Sequence, residues 1–221
     1  MDPAPKRPVP VFPLPGTVLF PGAVLPLHIF ELRYRTMVRD ALSAERMIAI
    51  ATLAPGWQDD YQGSPPFHPL GCVARIDEVE WLPNDHYRLV VRGTWRVRFD
   101  RVVREFPYRA CAVEVLHDAP YTEDDPLIGM VRTELLEQRA RLAPLAGEAW
   151  TAPPALKPGA SLRELVGVLA SALRVPETER LAWLAEESVV DRAQRIVAAM
   201  RRIGASAPPP SPPTPPSAEW N

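Results

Sequence analysis

Lysine is almost missing from this chain. Lys6 and Lys157 are the two lysines, and 23 of the 25 basic residues are arginine. Chemistry that needs a lysine amine, such as a Schiff base or a serine activated by an ε-amino group, therefore has few places to occur. Lys6 falls in an N-terminal lead and Lys157 in a Pro/Gly-rich loop, and neither position fixes a side chain. Cysteine is equally scarce: Cys72 and Cys111 each sit inside a β-type run, which predicts two buried thiols rather than a bridge. No apolar run reaches the ~18–20 residues of a membrane span. Met1-Asp2-Pro3 has neither the basic start nor the apolar stretch of a signal peptide, so a cytoplasmic location without membrane contact is expected. No Gly-x-x-x-x-Gly-Lys-Ser/Thr segment is present, so there is no phosphate loop to cradle a nucleotide, and no cofactor is expected.

What is present is proline, arginine and an ordinary apolar content. Hydrophobic residues make up 47% of the chain and charged residues 24%, with a net charge of −2. That fits a soluble globular protein and argues against a dedicated polyanion binder. Residues 1–8 read as a flexible lead, and residues 9–117 as a β-rich region. Val9–Leu14 and residues 23–29 are short apolar runs around a Pro/Gly turn. Prolines 10, 13, 15, 21 and 26 cannot donate to a sheet ladder, which confines these strands to edges or bulges. Residues 31–42 carry Tyr34, Met37, Val38, Ala41 and Leu42 at helical spacing, which predicts one amphipathic helix. Met47–Leu53 reads as a buried strand, residues 54–69 as a loop and residues 71–82 as the start of another strand run. Tyr87, Leu89 and Val91, then Trp95, Val97 and Phe99, alternate on either side of Gly93-Thr94, which predicts a hairpin with a turn or bulge there. Residues 109–116 close a set of about seven short strands, a number that suits a small curved sheet or barrel.

Composition changes at residues 118–126, an acidic linker with Glu123, Asp124 and Asp125. Residues 127–204 read as helical. Ser161-x-x-Glu164 forms a capping box, Pro176 lies near a helix start, Ser188-x-x-Asp191 has cap spacing, and Gly204 is the expected stop. Residues 205–221 hold seven prolines and one charged residue and are expected to be disordered or polyproline-like, a plain solubilising tail. The fold class expected is α+β, a curved β-barrel with one packed helix followed by a C-terminal helical subdomain.

The segment VPVFPLPGTVLFPGAVLPLHIFELRY, residues 9–34, resembles the opening of the Lon protease N-terminal domain family. That family's Pro-rich first strand, Phe-Pro-Gly turn, Pro-Leu strand and Glu-x-Arg-Tyr helix start have counterparts in Val9–Leu14, Phe20-Pro21-Gly22, Pro26-Leu27 and Glu31-Leu32-Arg33-Tyr34. Gly71-Cys72-Val73-Ala74-Arg75-Ile76 resembles its Gly-x-Val-Ala-x-Ile strand, and Gly93-x-x-Arg96-Val97 its Gly-x-x-Arg-hydrophobic segment. The likeness runs from about residue 8 to residue 204. It implies a PUA-like barrel over residues 9–117 and a domain that contributes to substrate recognition and self-association. Full-length Lon proteases continue into an ATPase domain and a Ser/Lys peptidase domain, whose phosphate loop and dyad have no match here. The resemblance thus implies a non-catalytic module that binds unfolded or degron-like segments, or docks a protease or chaperone.

Candidate sites are few. His28-x-x-Glu31 offers two metal ligands without a third nearby, so a structural histidine and a helix-start acid facing Arg35 are the simpler reading, with Tyr34 as the helix anchor. Asp59-Asp60 are adjacent loop carboxylates that do not converge on a substrate. His68, His86 and His117 sit beside turns without a nucleophile partner, and Ser43, Ser64 and Ser161 read as helix-end, loop and cap residues. No catalytic, cofactor-binding or metal-binding residue is assigned. Trp57, Tyr61 and Phe67 on the 54–69 loop form a candidate apolar surface for peptides, or else a lid over a barrel end. Arg88, Arg92, Arg96 and Arg98, on the solvent faces of the predicted hairpin with Arg101, Arg104 and Arg109 following, define the alternative of RNA binding. Against RNA, no aromatic is interleaved for base stacking, and Glu78, Glu80 and Glu114 are available as cross-strand partners.

Overall fold

Of the two proline-bearing strands expected at edges or bulges, the second lies at an edge, whereas the first is paired on both sides. A computed structural model describes residues 4–60, 63–145 and 159–206. In it β1 (Val9–Leu14) carries Pro10 and Pro13, and β2 (Val24–Ile29) carries Pro26. β2 takes the outer position of the sheet, beside β5, where a residue without an N–H is tolerated. The other strands are β3 (Met47–Leu53), β4 (Phe67–Leu82), β5 (His86–Arg104) and β6 (Ala110–Val115). Their order is β2-β5-β4-β3-β1-β6, with β1 and β3 parallel. β6 also pairs with the far half of β5, from Val97↔Val115 to Arg104↔Ala110, so the sheet curls back on itself. The result is a mixed sheet rather than a clean barrel of many short strands. Among the described residues there are six strands, β4 and β5 run to 16 and 19 residues, and β2 stays outside the curl.

The hairpin expected across Gly93-Thr94 does not form. Both halves belong to β5 and pair with β4. The chain reverses instead at Pro83–Asp85, where Asn84 and Asp85 have φ of 62° and 60°, a left-handed conformation that Asn and Asp accept at low cost. At Gly93-Thr94 the strand bulges: Trp95 pairs with Val73 and Gly93 with Ala74, while the Thr94 hydroxyl donates to the Val73 carbonyl at 2.9 Å. One extra residue exchanges the two faces of everything beyond it. Tyr87, Leu89 and Val91 therefore enter one core, whereas Trp95 and Val97 enter the other. Arg96 turns with them, away from the face that carries Arg88 and Arg92. Glycine is required at the bulge because a Cβ on residue 93 would lie 2.2 Å from the Phe20 carbonyl oxygen.

Three cores result. α1 (Leu32–Leu42) lays Tyr34, Met37, Val38 and Ala41 against Ile48, Ile50, Leu89 and Val91. Met47, Ala49 and Ala51 point to the opposite core, with Val9, Val11, Trp95 and Val97. β3 is covered on both faces, which accounts for its unbroken apolar run. The third core joins α2 (Pro126–Leu142), α3 (Leu162–Ala172), α4 (Glu177–Ala185) and α5 (Val189–Ser206) to Val18 and Phe20 from the β1–β2 connection. The α3 capping box forms as its spacing predicts, and the Ser188 hydroxyl accepts from the Asp191 N–H at 3.1 Å. α5 continues through Gly204 to Ser206. Its Gly204 position is roomy, a Cβ there meeting the Leu142 side chain at 3.7 Å, so the glycine does not end the helix. The remainder of the Pro-rich segment, residues 207–221, lies outside the described residues, as does Lys157.

A buried carboxylate ties the helices to the sheet. Asp118 Oδ1 accepts from Arg96 and from Arg192, each at 2.8 Å, and Asp118 Oδ2 from Arg163 at 2.6 Å. Arg96 and Arg192 keep 2% and 1% of their surface exposed. Arg96 also donates to the carbonyls of Leu184 at 2.7 Å, Glu186 at 2.9 Å and His117 at 3.3 Å. Arg192 donates to those of Trp183 and Glu186. Burial, with Arg192 alongside, pulls the Arg96 pKa below its ordinary value, and Asp118 opposes that pull. Further along the same segment, Glu123 accepts from the Leu162 N–H at 2.9 Å and from Arg132 at 2.6 Å. The stretch expected as a plain acidic linker is thus held at both ends by its own carboxylates.

Removing Asp118 leaves buried guanidiniums without their counter-charge. Asp118→Ala is expected to lower unfolding free energy by about 3–5 kcal/mol. Glu80→Ala, which breaks an exposed pair with Arg88, should cost about 1 kcal/mol or less. Urea denaturation of both variants checks the contrast.

Candidate functional site

Around one end of the sheet, where the end of β2, the start of β5 and the end of β4 meet, three large apolar side chains reach the surface. Phe30 is 55% exposed, Leu32 66% and Trp81 64%. Phe30 lies between β2 and α1, Leu32 opens α1, and Trp81 sits near the end of β4. His28 and His86 lie beside Phe30. Their ring centres are 5.3 Å apart, and that of Phe30 is 5.7 Å from His28 and 6.3 Å from His86. On the other face of the sheet, that of Ile29 and Tyr87, Trp81 packs on buried Tyr87 at 4.8 Å between ring centres. This end of the sheet has a fixed base, because Arg35 of α1 donates to the Asn84 carbonyl at 2.9 Å and pairs with Asp85 at 3.8 Å. Helix and hairpin tip are thereby joined, and the exposed rings need little ordering on contact with a partner.

A second feature is a small cleft of about 80 Å³ between the start of α1 and the β5–β6 turn, lined by Arg33, Tyr34, Glu105, Phe106 and Arg109 among others. Arg33 pairs with Glu31 at 3.0 Å and donates to the Gly63 carbonyl at 3.1 Å. Glu105 accepts from the Ser64 hydroxyl at 3.1 Å. Arg109 stacks on the Phe67 ring, 4.5 Å from its centre. Burial pulls the Arg109 pKa down, with Tyr34 and Glu105 working against that. Phe106 stands on the lip, 79% exposed.

Two of the three predicted loop aromatics, Trp57 and Phe67, are among the described residues. Trp57 is half-buried in a single helical turn, Trp57–Asp60. Phe67 belongs to β4, where it meets Phe99 edge-on at 5.0 Å and carries Arg109 over its ring. Tyr61 lies outside the described residues. Among the arginines, Arg96 is a correction: the bulge takes it from the expected solvent face into the buried cluster. Arg88 pairs with Glu80, Arg92 with Asp77 at 2.7 Å and Arg98 with Glu114 at 3.7 Å. Two of these three acids, Glu80 and Glu114, are cross-strand partners legible in the sequence. Glu31 reaches Arg33 rather than Arg35, while Tyr34 anchors α1 edge-on against Phe12 at 4.6 Å. Sequence reading missed Phe30, Leu32 and Trp81. The available signal was phase: Leu32 falls off the Tyr34–Met37–Val38–Ala41 stripe, and Trp81 stands between Glu80 and Leu82 on a half-polar strand.

The chain belongs to the ATP-dependent protease La (LON) substrate-binding domain family, whose model matches residues 8–202. Lon protease 2 of Myxococcus xanthus is 27% identical over 198 residues, covering 88% of this chain and 23% of the relative. Lon protease 4 of Sorangium cellulosum is 28% identical over 211 residues, covering 92% and 25%. The chain thus spans about a quarter of the length of these relatives. Among solved structures, a Lon N-terminal domain protein from Xanthomonas campestris matches with a TM-score of 0.61 at 26% identity, covering 87% of this chain and 98% of that one. The N-terminal domain of a Mycobacterium avium complex Lon protease shares the fold, with a TM-score of 0.59 at 17% identity and coverage of 88% and 98%. These matches are to the non-catalytic N-terminal domain of Lon proteases.

No group of three or more His, Cys, Asp or Glu among the described residues could hold a metal ion, and no described helix is long and apolar enough to cross a membrane. Cys72 and Cys111 are buried and free. Burial pushes the Cys72 thiol up to about 12 and raises Cys111 as well, the opposite of what a nucleophilic thiol requires. A thiol reagent such as DTNB at pH ~8 is expected to label neither cysteine in the folded chain and both after denaturation, as read by absorbance.

Proposed function

We propose that this chain recognises unfolded or degron-like protein segments without catalysing their cleavage, acting in the cytoplasm in protein quality control. The observation that carries the reading is the exposure of Phe30, Leu32 and Trp81, three large apolar side chains around one end of the sheet where helix and hairpin are tied together. Exposed apolar patches on a rigid base are where a protein contacts other proteins, and aromatic residues carry most of the energy of such contacts. The family's substrate-binding role supports the same conclusion. In this reading the curled sheet over residues 9–117 is a PUA-like unit and residues 127–204 a helical subdomain docked on it. A protease or chaperone partner, or a second copy of the chain, would meet the same surface. The arginine face offers less to RNA, since Arg96 is buried and Arg88, Arg92 and Arg98 are engaged by acids.

The test uses the full chain and a carboxymethylated, permanently unfolded protein carrying a fluorescent label. Binding should weaken about tenfold or more in a Phe30→Ala/Trp81→Ala double variant, given that one central aromatic contributes about 2 kcal/mol or more. Thermal stability should change little, because both side chains are largely exposed. Absence of binding by the unaltered chain, or equal binding by the double variant, would sink the assignment.

A further inference from the structure

Arg109 differs from most of the arginines withdrawn from solvent. Arg33 has Glu31 and the Gly63 carbonyl, Arg163 has Asp118, and Arg180 has the Gly16 carbonyl at 2.7 Å. Arg96 and Arg192 fill the buried cluster. Arg109 is half-buried too, yet among the described residues its guanidinium forms no hydrogen bond or ion pair and is held by the Phe67 ring alone. Its backbone is fixed, the Arg109 carbonyl accepting from the Val11 N–H at 2.8 Å. A guanidinium half withdrawn into a cleft, with donors that no acceptor takes up, is a place for an anion. The cleft is about 80 Å³, the scale of a single functional group rather than a whole side chain. Glu105 shares its lining but is held by Ser64 and does not pair with Arg109.

We infer that this cleft binds a carboxylate carried by a peptide, with the Arg109 fork on the carboxylate oxygens and Phe106 on the lip against the adjoining apolar side chain. A planar guanidinium suits a carboxylate because two parallel N–H···O bonds form at once. The carboxylate comes from a chain terminus or from an Asp or Glu side chain. The inference deepens the peptide-recognition reading above and rests on it for the nature of the ligand, while the cleft itself can be probed with a bare anion.

Three labelled peptides of one apolar sequence separate the cases by fluorescence anisotropy with the full chain. One has a free C-terminus, one is amidated, and one is amidated with a single internal Asp. The free acid, the Asp peptide or both should bind about tenfold tighter than the plain amide, the scale of a charge-assisted hydrogen-bond pair. The preference should vanish in Arg109→Gln, shrink in Arg109→Lys, and grow in Glu105→Gln, which removes the competing charge. Which acidic peptide benefits identifies the source. Equal binding of all three peptides, or a preference that survives Arg109→Gln, overturns the inference. Independently, acetate titrated into isotope-labelled protein should shift the Arg109 side-chain Nε–H resonance, and a resonance that does not move overturns it as well. If acetate shifts Arg109 while no peptide binds, the carboxylate cleft stands and the peptide-recognition reading fails.

Discussion

The structure depends on one carboxylate. Asp118 is 5% exposed at its side chain and faces Arg96 from the sheet, Arg192 from α5 and Arg163 from α3. Taking such ions out of water costs several kcal/mol each, and a single carboxylate cannot neutralise three guanidiniums. The remaining compensation comes from backbone. The carbonyls of Trp183, Leu184 and Glu186 at the end of α4 all accept from Arg96 or Arg192. A helix C-terminus carries partial negative charge and unsatisfied carbonyls, so it is a natural receptor for cations. The cluster therefore satisfies α4's end, the sheet's buried arginine and the base of α5 with the same groups. Because removing any member strands the others, sheet and helices behave as one cooperative unit rather than two bodies on a tether.

That cluster exists because of the bulge at Gly93-Thr94. Without the extra residue, strand alternation would keep Arg96 on the side of Arg88 and Arg92, in solvent, and Asp118 would have no partner from the sheet. The bulge in turn requires the close approach of the Phe20–Gly22 turn, where the Gly22 N–H donates to the Gly93 carbonyl and the Gly93 N–H to the Ala23 carbonyl, both at 2.9 Å. Phe20 then enters the helical core. The Phe-Pro-Gly turn, the strand glycine and the buried arginine thus form one continuous mechanical path from the N-terminal segment to α5.

Local signals in the sequence were legible where a single rule governs them. The bounds of β1 and β3, the amphipathic α1, the α3 capping box and the burial of both cysteines all follow from proline chemistry, periodicity or capping spacing. Features that depend on tertiary register were not legible. A Gly-Thr pair between two alternating runs is compatible with a turn or a bulge, and only pairing with β4 decides. The true reversal, Pro83-Asn84-Asp85, carries turn chemistry of its own but no glycine to draw attention. For the candidate site, Tyr34 as a helix anchor and the pairing of Arg88 and Arg98 with Glu80 and Glu114 were readable. Phe30, Leu32 and Trp81 were not, because exposure is a property of which neighbours are absent.

The scarcity of lysine acquires a structural meaning in this light. Arg96 engages four acceptors spread around a flat fork, and Arg192 engages three. A lysine has three donors on one compact, strongly hydrated head and could not span these partners, so replacing either residue with lysine would be far from conservative. On the surface the same residue type is used differently, in exposed pairs that contribute little individually but leave few free positive charges on the sheet face. Arg109, half-buried in a cleft and resting on an aromatic ring, keeps donors that none of these pairs consumes, which leaves them for a ligand.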